Sequence, residues 1–191
     1  MRNSLSKFTL ACGTCCMLAS AVSFADSGQI VFTGSVTDNA CTINTNDAKK
    51  SVSLDPVRIS EFANQVGAKA MPKTFSLSLD NCSVQTRRNV AIKFSGQPDA
   101  QDSSLLGLTG ENQVKGVAIQ IDDARTGSKV PLNTATSDYA LRTQSNTFDF
   151  IASYVRTALD TTTGEGDNQV TTPGIGTGQV SALATFDVTY K

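Results

Sequence analysis

The sequence predicts a single all-β domain built as an antiparallel sandwich. After Cys41 the chain consists of short runs in which apolar and polar residues alternate, which is the period of a strand with one buried face. Clusters of Gly, Pro, Asn and Asp separate these runs, and no heptad, internal repeat or domain linker interrupts them. The weak helical period of residues 59–70 predicts a loop with at most one helical turn.

Six strands are predicted in chain order. They are Ser51–Leu54, Lys73–Leu79, Asn89–Ser95, Val114–Ile121, Asn146–Val155 and Val180–Tyr190. Two of them carry three apolar side chains each on one face: Phe75, Leu77 and Leu79, and Val90, Ile92 and Phe94. The long polar stretch from Asp160 to Gly178 is predicted to be a break, and its glycine-rich end a flexible lead-in to the last strand.

Residues 1–25 have the features of a secretory signal peptide. Arg2 and Lys7 provide a positive start, residues 8–22 are largely apolar, and Ser23 and Ala25 are small residues at the −3 and −1 positions of a cleavage site. A lipoprotein anchor on a cysteine of this stretch is the alternative. It is disfavoured because the run before Cys12 is too short and apolar sequence continues past it. We expect an exported chain that begins near Asp26.

Composition narrows the partners of the mature chain. Loss of Arg2 and Lys7 with the leader leaves 14 basic and 17 acidic residues, a formal charge of −3. A mildly acidic chain of this kind is not expected to bind nucleic acid. No downstream run approaches the roughly 18 apolar residues of a membrane span, so no membrane insertion is expected.

Two cysteines, Cys41 and Cys82, remain after the leader is removed. In an oxidising compartment they are expected to form a disulfide. Closing a loop of about 40 residues contributes roughly 4 kcal/mol in the chain-entropy model. A redox or metal role for these two cysteines would require close spacing, which they lack, and histidine partners, and the chain contains no His.

Catalytic motifs are scarce, and neither an enzyme nor a cofactor is expected. The chain contains no His, so a serine or cysteine nucleophile lacks its usual base. Asp122 and Asp123 are adjacent and are predicted to lie in a solvated turn. The glycines at 174, 176 and 178 lack the strand, helix and spacing of a phosphate-binding loop.

The last predicted strand alternates apolar and polar residues up to Lys191, so the chain ends while a sheet is still being built. A sandwich whose last strand has no successor leaves an unpaired edge or an open groove, either of which attracts another strand.

With these features in this order, the sequence resembles the pilin subunits of bacterial chaperone–usher fimbriae of the type 1 kind. The resemblance covers the mature chain and rests on four segments. They are the run Ile30-x-Phe32-x-Gly34-x-Val36, the Cys41 and Cys82 pair, residues 116–121, and residues 184–191 with the penultimate Tyr190. It implies an incomplete immunoglobulin-like sandwich that lacks its last strand and carries an N-terminal donor-strand extension.

The resemblance also assigns domains and site residues. It implies a donor-strand extension at residues 26–40, an immunoglobulin-like domain at 41–191, and strand donation first by a periplasmic chaperone and then by the next subunit. The inserted face of the donor strand is Ile30, Phe32, Gly34 and Val36, with Gly28 as a possible continuation. The acceptor groove includes Phe186, Val188 and Tyr190. The alternative is that residues 28–36 form the first strand of an ordinary, complete sandwich.

Three functions compete at this stage. The sequence favours a structural fimbrial subunit that is exported through the periplasm, passes an outer-membrane usher, and joins neighbouring pilin subunits in a surface fibre for cell adhesion. A carbohydrate-binding adhesin on the same scaffold is the alternative, although the 15 residues before Cys41 cannot hold a lectin domain and the chain has no Trp. A secreted enzyme is the least favoured.

Overall fold

The computed structural model describes residues 29–33 and 40–191, which belong to two separate structural units. Residues 29–33 form no secondary structure, and the side chains of Ile30, Val31 and Phe32 are exposed. The signal peptide, Gly28, Gly34 and Val36 lie outside the described residues. Within the described ranges, no helix is long and apolar enough to span a bilayer.

Residues 40–191 form an all-β body with almost no helix. Two single-turn 3₁₀ helices occur at Ile59–Glu61 and Gly166–Asn168. The strands are β1 (Thr42–Ile43), β2 (Lys69–Cys82), β3 (Asn89–Gly96), β4 (Val117–Asp123), β5 (Tyr139–Ala140), β6 (Gln144–Arg156), β7 (Thr161–Thr163), β8 (Val170–Thr172) and β9 (Ala184–Tyr190).

Two antiparallel sheets pack face to face. One has the strand order β1-β2-β6-β4 and the other β5-β3-β9, while β7 and β8 form a separate hairpin. Leu77 and Phe150 from the first sheet and Ile92 and Phe94 from the second belong to one buried cluster. The sandwich is therefore held by the apolar inner faces of both sheets, as in other aligned β-sandwiches.

Alternation in the sequence correctly predicted five of the strands. The predicted inward faces of the second and third segments are the inner faces of β2 and β3, and Phe75 lies opposite Phe150 in the β2–β6 ladder. The predicted loop at residues 59–70 contains a single 3₁₀ turn before β2 begins at Lys69. These segments form strands because each has a buried face and a paired neighbour.

The predicted strand Ser51–Leu54 is wrong for this structure, since these residues adopt no secondary structure. The alternation is still visible, because Val52 and Leu54 are half-buried and Ser51 and Ser53 are exposed. No described strand lies beside this segment to supply a ladder. The pattern therefore predicted the inward-facing side chains correctly. It did not reveal that the backbone partner needed for a strand is missing from the described residues.

The prediction of a solvated turn at Asp122 and Asp123 is also wrong. Both lie at the end of β4, and they are 5% and 3% exposed. The Asp122 carboxylate accepts hydrogen bonds from Lys69 Nζ at 2.8 Å and Gln120 Nε2 at 2.6 Å, and the Asp123 carboxylate accepts one from the Arg125 amide at 2.8 Å. Buried carboxylates need such partners, and one of them, Lys69, comes from a position 53 residues away that the local sequence does not reveal.

The polar stretch after β6 is more ordered than the sequence suggested. Its β7–β8 hairpin was missed because all six of its strand residues are exposed and no apolar alternation marks them. The glycine-rich segment that follows leads into β9, as predicted, but it is fixed by backbone hydrogen bonds such as Val114 N–H to Gln179 O at 2.9 Å. A Cβ at Gly174 would lie 2.3 Å from Leu159 O, so only glycine allows this close approach.

The expected disulfide joins Cys41 and Cys82 and fixes the start of the body to the end of β2. Both cysteines are buried in the main core cluster. The Tyr190 hydroxyl donates a hydrogen bond to the Cys41 carbonyl at 3.2 Å, so the last strand is tied to the same point. The bridge and this hydrogen bond together join the residue before β1, β2 and β9 at one end of the sandwich.

Replacement of Cys82 by Ser is expected to destabilise the body by about 2–5 kcal/mol, because the unfolded chain regains the freedom of a long loop. This is a large part of the stability of an ordinary domain. Chemical denaturation of the oxidised chain and the variant measures the difference. Unchanged stability, or normal periplasmic levels of the variant, would contradict a structural role of the bridge.

Candidate functional site

An open groove of about 980 Å³ runs along one side of the sandwich. One border is residues 48–54, which we call the wall segment, and the other is residues 180–186, which lead into and begin β9. The floor between these borders is the interior of the sandwich itself. It is formed by Phe75, Leu77, Phe94, Leu106, Ile119, Ile121, Ala152 and Tyr154.

Aromatic side chains form the centre of the floor. The Phe75 ring stacks against Phe150 with centroids 5.6 Å apart, and it forms a T-shaped pair with Phe94 with centroids 6.1 Å apart. Phe150 is fully buried, whereas Phe75 is only half-buried although it points inward. The groove therefore exposes core side chains that a complete sandwich would cover, and its floor is suited to apolar side chains.

The backbone of β9 is paired along one edge only. Its ladder with β3 runs from Val90 opposite Tyr190 to Gly96 opposite Ala184, and among the described strands β9 has no other partner. Asn89 and Lys191 exchange both of their backbone hydrogen bonds. Because such pairs alternate along an antiparallel ladder, the N–H and C=O groups of Phe186 and Val188 point away from β3. Along Phe186, the unpaired edge therefore borders the groove.

The wall segment is held at both ends and unpaired between them. Asp55 fixes one end, because its carbonyl accepts a hydrogen bond from Tyr154 Oη at 3.1 Å. Asp47 fixes the other, because its carboxylate accepts a hydrogen bond from the Ser78 amide at 2.7 Å. Within the described body, residues 49–54 form no hydrogen bond to another main-chain group. The groove thus has unpaired backbone on both borders.

Phe186, one of the residues assigned to the acceptor groove from the sequence, lines this open groove. Val188 and Tyr190 are half-buried and pack against the main core cluster, which includes Ala40 and Cys41 from the start of the body. Burial raises the pKa of the Tyr190 hydroxyl. Neither Val188 nor Tyr190 is among the residues that line the groove, and the Tyr190 hydrogen bond ties the end of β9 to the disulfide-bonded Cys41.

Sequence reasoning missed several residues of the groove. Val52 and Leu54 were noticed only as strand residues, and Asp47 and Tyr154 were not singled out. The alternation of residues 51–54 was a usable signal for Val52 and Leu54, because an alternating segment for which the sequence predicts no partner strand is typical of an unpaired border. The roles of Asp47 and Tyr154 depend on contacts 31 and 99 residues away in the chain and leave no local pattern.

The described part of the predicted donor face consists of Ile30 and Phe32, which are 78% and 89% exposed. Both side chains are large and apolar, and they alternate with Val31 and Thr33 along the segment. In a strand they would share one face. The remaining members of that face, Gly34 and Val36, lie outside the described residues.

Comparison with known proteins gives consistent results. The family model described as "Fimbrial protein" matches residues 30–191. The S-fimbrial protein subunit SfaA of Escherichia coli is 35% identical over 91% of this chain and 88% of its own length. Among solved structures, the P pilus rod subunit PapA aligns with a TM-score of 0.62 and 20% identity, covering 80% of this chain and 100% of that chain. A subunit from the structure of a chaperone–usher pilus aligns with a TM-score of 0.64 and 21% identity, covering 87% of this chain and 96% of that chain. The two structural likenesses concern the fold.

The openness of the groove predicts unequal costs for two phenylalanine truncations in the isolated body. Phe150→Ala is expected to cost about 3–5 kcal/mol, because its ring is fully enclosed. Phe186→Ala is expected to cost about 1 kcal/mol, because its ring is half-buried at the groove border and gains less from folding. Urea unfolding of both variants measures the two values. Equal losses would mean that the groove is closed in solution.

Proposed function

The chain belongs to the fimbrial protein family, and we propose that it is a structural pilus subunit whose groove accepts a strand from the N-terminal extension of a neighbouring subunit. The observation that carries the proposal is the groove itself, which exposes an aromatic core between two unpaired stretches of backbone. Fimbrial subunits reach the cell surface within fibres, so neighbouring pilin subunits are its partners. Membership in a structural family argues against an enzyme.

The proposed donor is the segment from Ile30 to Val36. In an extended conformation Ile30, Phe32, Gly34 and Val36 lie on one face and span seven residues. The groove border along residues 180–186 has the same length. Burial of the three large side chains would contribute on the order of 1.5–3 kcal/mol each, and Gly34 would fit a shallow part of the groove.

Backbone pairing supplies direction and additional affinity. An inserted strand has the free edge of β9 on one side and the unpaired wall segment on the other, which is the geometry of β-strand addition. Such a strand would also give residues 51–54 the ladder that they lack. The alternation that predicted a strand at Ser51–Leu54 fits the subunit once a donor strand is present.

The proposed function also implies a route of export and assembly. We assign residues 1–25 to a signal peptide, 26–40 to the donor extension and 41–191 to the pilin domain. Before assembly, a periplasmic chaperone would cover the exposed groove, and an outer-membrane usher would exchange the chaperone for the next subunit. In the assembled fibre Phe186 would contact the donor strand directly, while Val188 and Tyr190 would support the closed end of the site.

A donor peptide is expected to stabilise the subunit. A chain that lacks residues 26–37 is mixed with a peptide of those residues, and thermal unfolding is measured. We expect the Tm to rise by at least about 10 °C, since a domain of this size gains roughly 2–4 °C per kcal/mol. A chain that is fully stable without the peptide and gains nothing from it would show that the sandwich is already complete.

Substitutions in the donor segment are expected to block assembly without unfolding the subunit. Phe32→Asp would bury an unpaired charge in the groove of the neighbour, and Gly34→Leu would force an oversized side chain into a tight site. Thr33→Asp is the matched control, because Thr33 lies on the opposite face of the strand. Fibres are scored by electron microscopy, and subunit folding by circular dichroism.

Loss of fibres in the Phe32 and Gly34 variants, with fibres retained in the Thr33 variant, is the expected result. If Phe32→Asp unfolds the isolated subunit instead, residues 30–36 belong to the core of their own domain and donor-strand exchange must be abandoned.

A further inference from the structure

The first strand stops pairing with β2 at a turn that has one buried charge. The β1–β2 ladder ends at Ile43 opposite Leu79, and the Asn44 amide makes a last bond to Ser78 O at 3.0 Å. The chain then turns, with the amides of Asp47 and Ala48 both bonded to Asn44 O. The wall segment of the groove begins at this turn, so the direction in which it leaves β2 is set here.

The Asp47 side chain fixes that direction. It is 5% exposed, and its two carboxylate oxygens have different partners. One accepts the Ser78 amide at 2.7 Å, and the other pairs with Lys50 Nζ at 2.5 Å. The carboxylate therefore takes the ladder position next to Ser78 that a backbone carbonyl would otherwise occupy, and it holds the third residue of the wall segment by its ammonium group.

The charges around Asp47 are few and belong to two elements. Lys49 and Lys50 lie on its own segment, and Asp80 lies on β2, where its carboxylate accepts a hydrogen bond from Asn44 Nδ2 at 2.6 Å. The opposite border, residues 180–186, contains no titratable side chain. Burial acts to raise the pKa of Asp47, but the hydrogen bonds from Lys50 and Ser78 outweigh it, so the pKa lies below its ordinary value.

We propose that Asp47 is a positioning residue for strand acceptance: its bonds to Ser78 and Lys50 hold the wall segment at the spacing from β9 that an incoming strand requires. The inference rests on the proposed function and deepens it. A wall that is already fixed loses little conformational freedom when a strand enters, and such preorganisation strengthens binding. Without Asp47 the wall segment would become ordered only when the donor strand binds, and the entropy lost in that step would reduce the donor's binding free energy.

The proposal predicts a defined pH dependence. Because the folded pKa of Asp47 is lowered, its contribution is complete above the ordinary carboxyl pKa of about 4 and is lost as the pH falls through the lower folded value. Removing the Lys50 ammonium takes away part of the cause of that lowering. The acid loss should then move to higher pH.

The test measures the Kd of a labelled peptide of residues 26–37 for the mature chain between pH 2.5 and 7, with Phe32→Asp in every sample so that the chain's own extension does not compete for the groove. Asp47→Asn is expected to weaken binding about tenfold or more at neutral pH and to remove the acid-dependent loss seen in the native chain. Lys50→Met is expected to shift that loss to higher pH. This variant tests the role of Asp47 even if Asp47→Asn does not fold. Amide exchange at Ser78 should accelerate in the Asp47 variant.

Asp102→Asn is the matched control. Asp102 also pairs with a lysine, Lys129, at 3.1 Å, and hydrogen bonds from Ser104 help to lower the pKa of its carboxyl. It does not line the groove, so its variant should bind the peptide as the native chain does.

The outcomes separate the two proposals. If the native chain binds no peptide at any pH, the proposed function fails and this inference fails with it. If the native chain binds the peptide and Asp47→Asn matches it in Kd and pH profile, only the role of Asp47 is overturned. Equal weakening by Asp47→Asn and Asp102→Asn would also overturn it, because general destabilisation would then explain both.

Discussion

The unpaired edge of β9 is the constraint on which the rest of the structure depends. A β-sandwich is stable when each inner face is covered and each interior edge is paired, and among the strands that the structure describes β9 is paired to β3 alone. The missing neighbour leaves Phe75 and Phe186 half-buried and leaves residues 51–54 without a ladder. One absent strand therefore accounts for the open groove, the exposed aromatic floor and the irregular wall.

An open groove persists only if its borders are prevented from collapsing onto the floor. The structure fixes them from outside the groove, with the disulfide and the Tyr190 hydrogen bond at the closed end, Asp47 at the start of the wall and the Tyr154 hydroxyl at its end. The glycine-rich segment before β9 is similarly held against residues 112–115 by backbone hydrogen bonds. These contacts are polar or covalent, so they position the borders without filling the apolar space between them.

The sequence was sufficient for features that depend on local periodicity. The inner faces of β2 and β3 and the pairing of Cys41 with Cys82 followed from alternation and cysteine count. It was insufficient where a residue's state depends on a distant partner. Asp122 is buried because Lys69 reaches it from β2, and Asp47 binds a β2 amide 31 residues away. The strand at Ser51–Leu54 was predicted from its buried face, and only the three-dimensional arrangement shows that no strand of residues 40–191 pairs with it.

Amide hydrogen exchange along β9 tests the central claim most directly, because neighbouring residues of this strand should behave differently. Backbone alternation places the Thr185 amide toward β3 and the Phe186 amide toward the unpaired edge. In the subunit without residues 26–37, we expect slow exchange at Thr185 and fast exchange at Phe186, with Phe186 becoming protected when a peptide of residues 26–37 is added. Protection of Phe186 equal to that of Thr185 before any strand is added would contradict the account, since β9 would then already be paired on both edges.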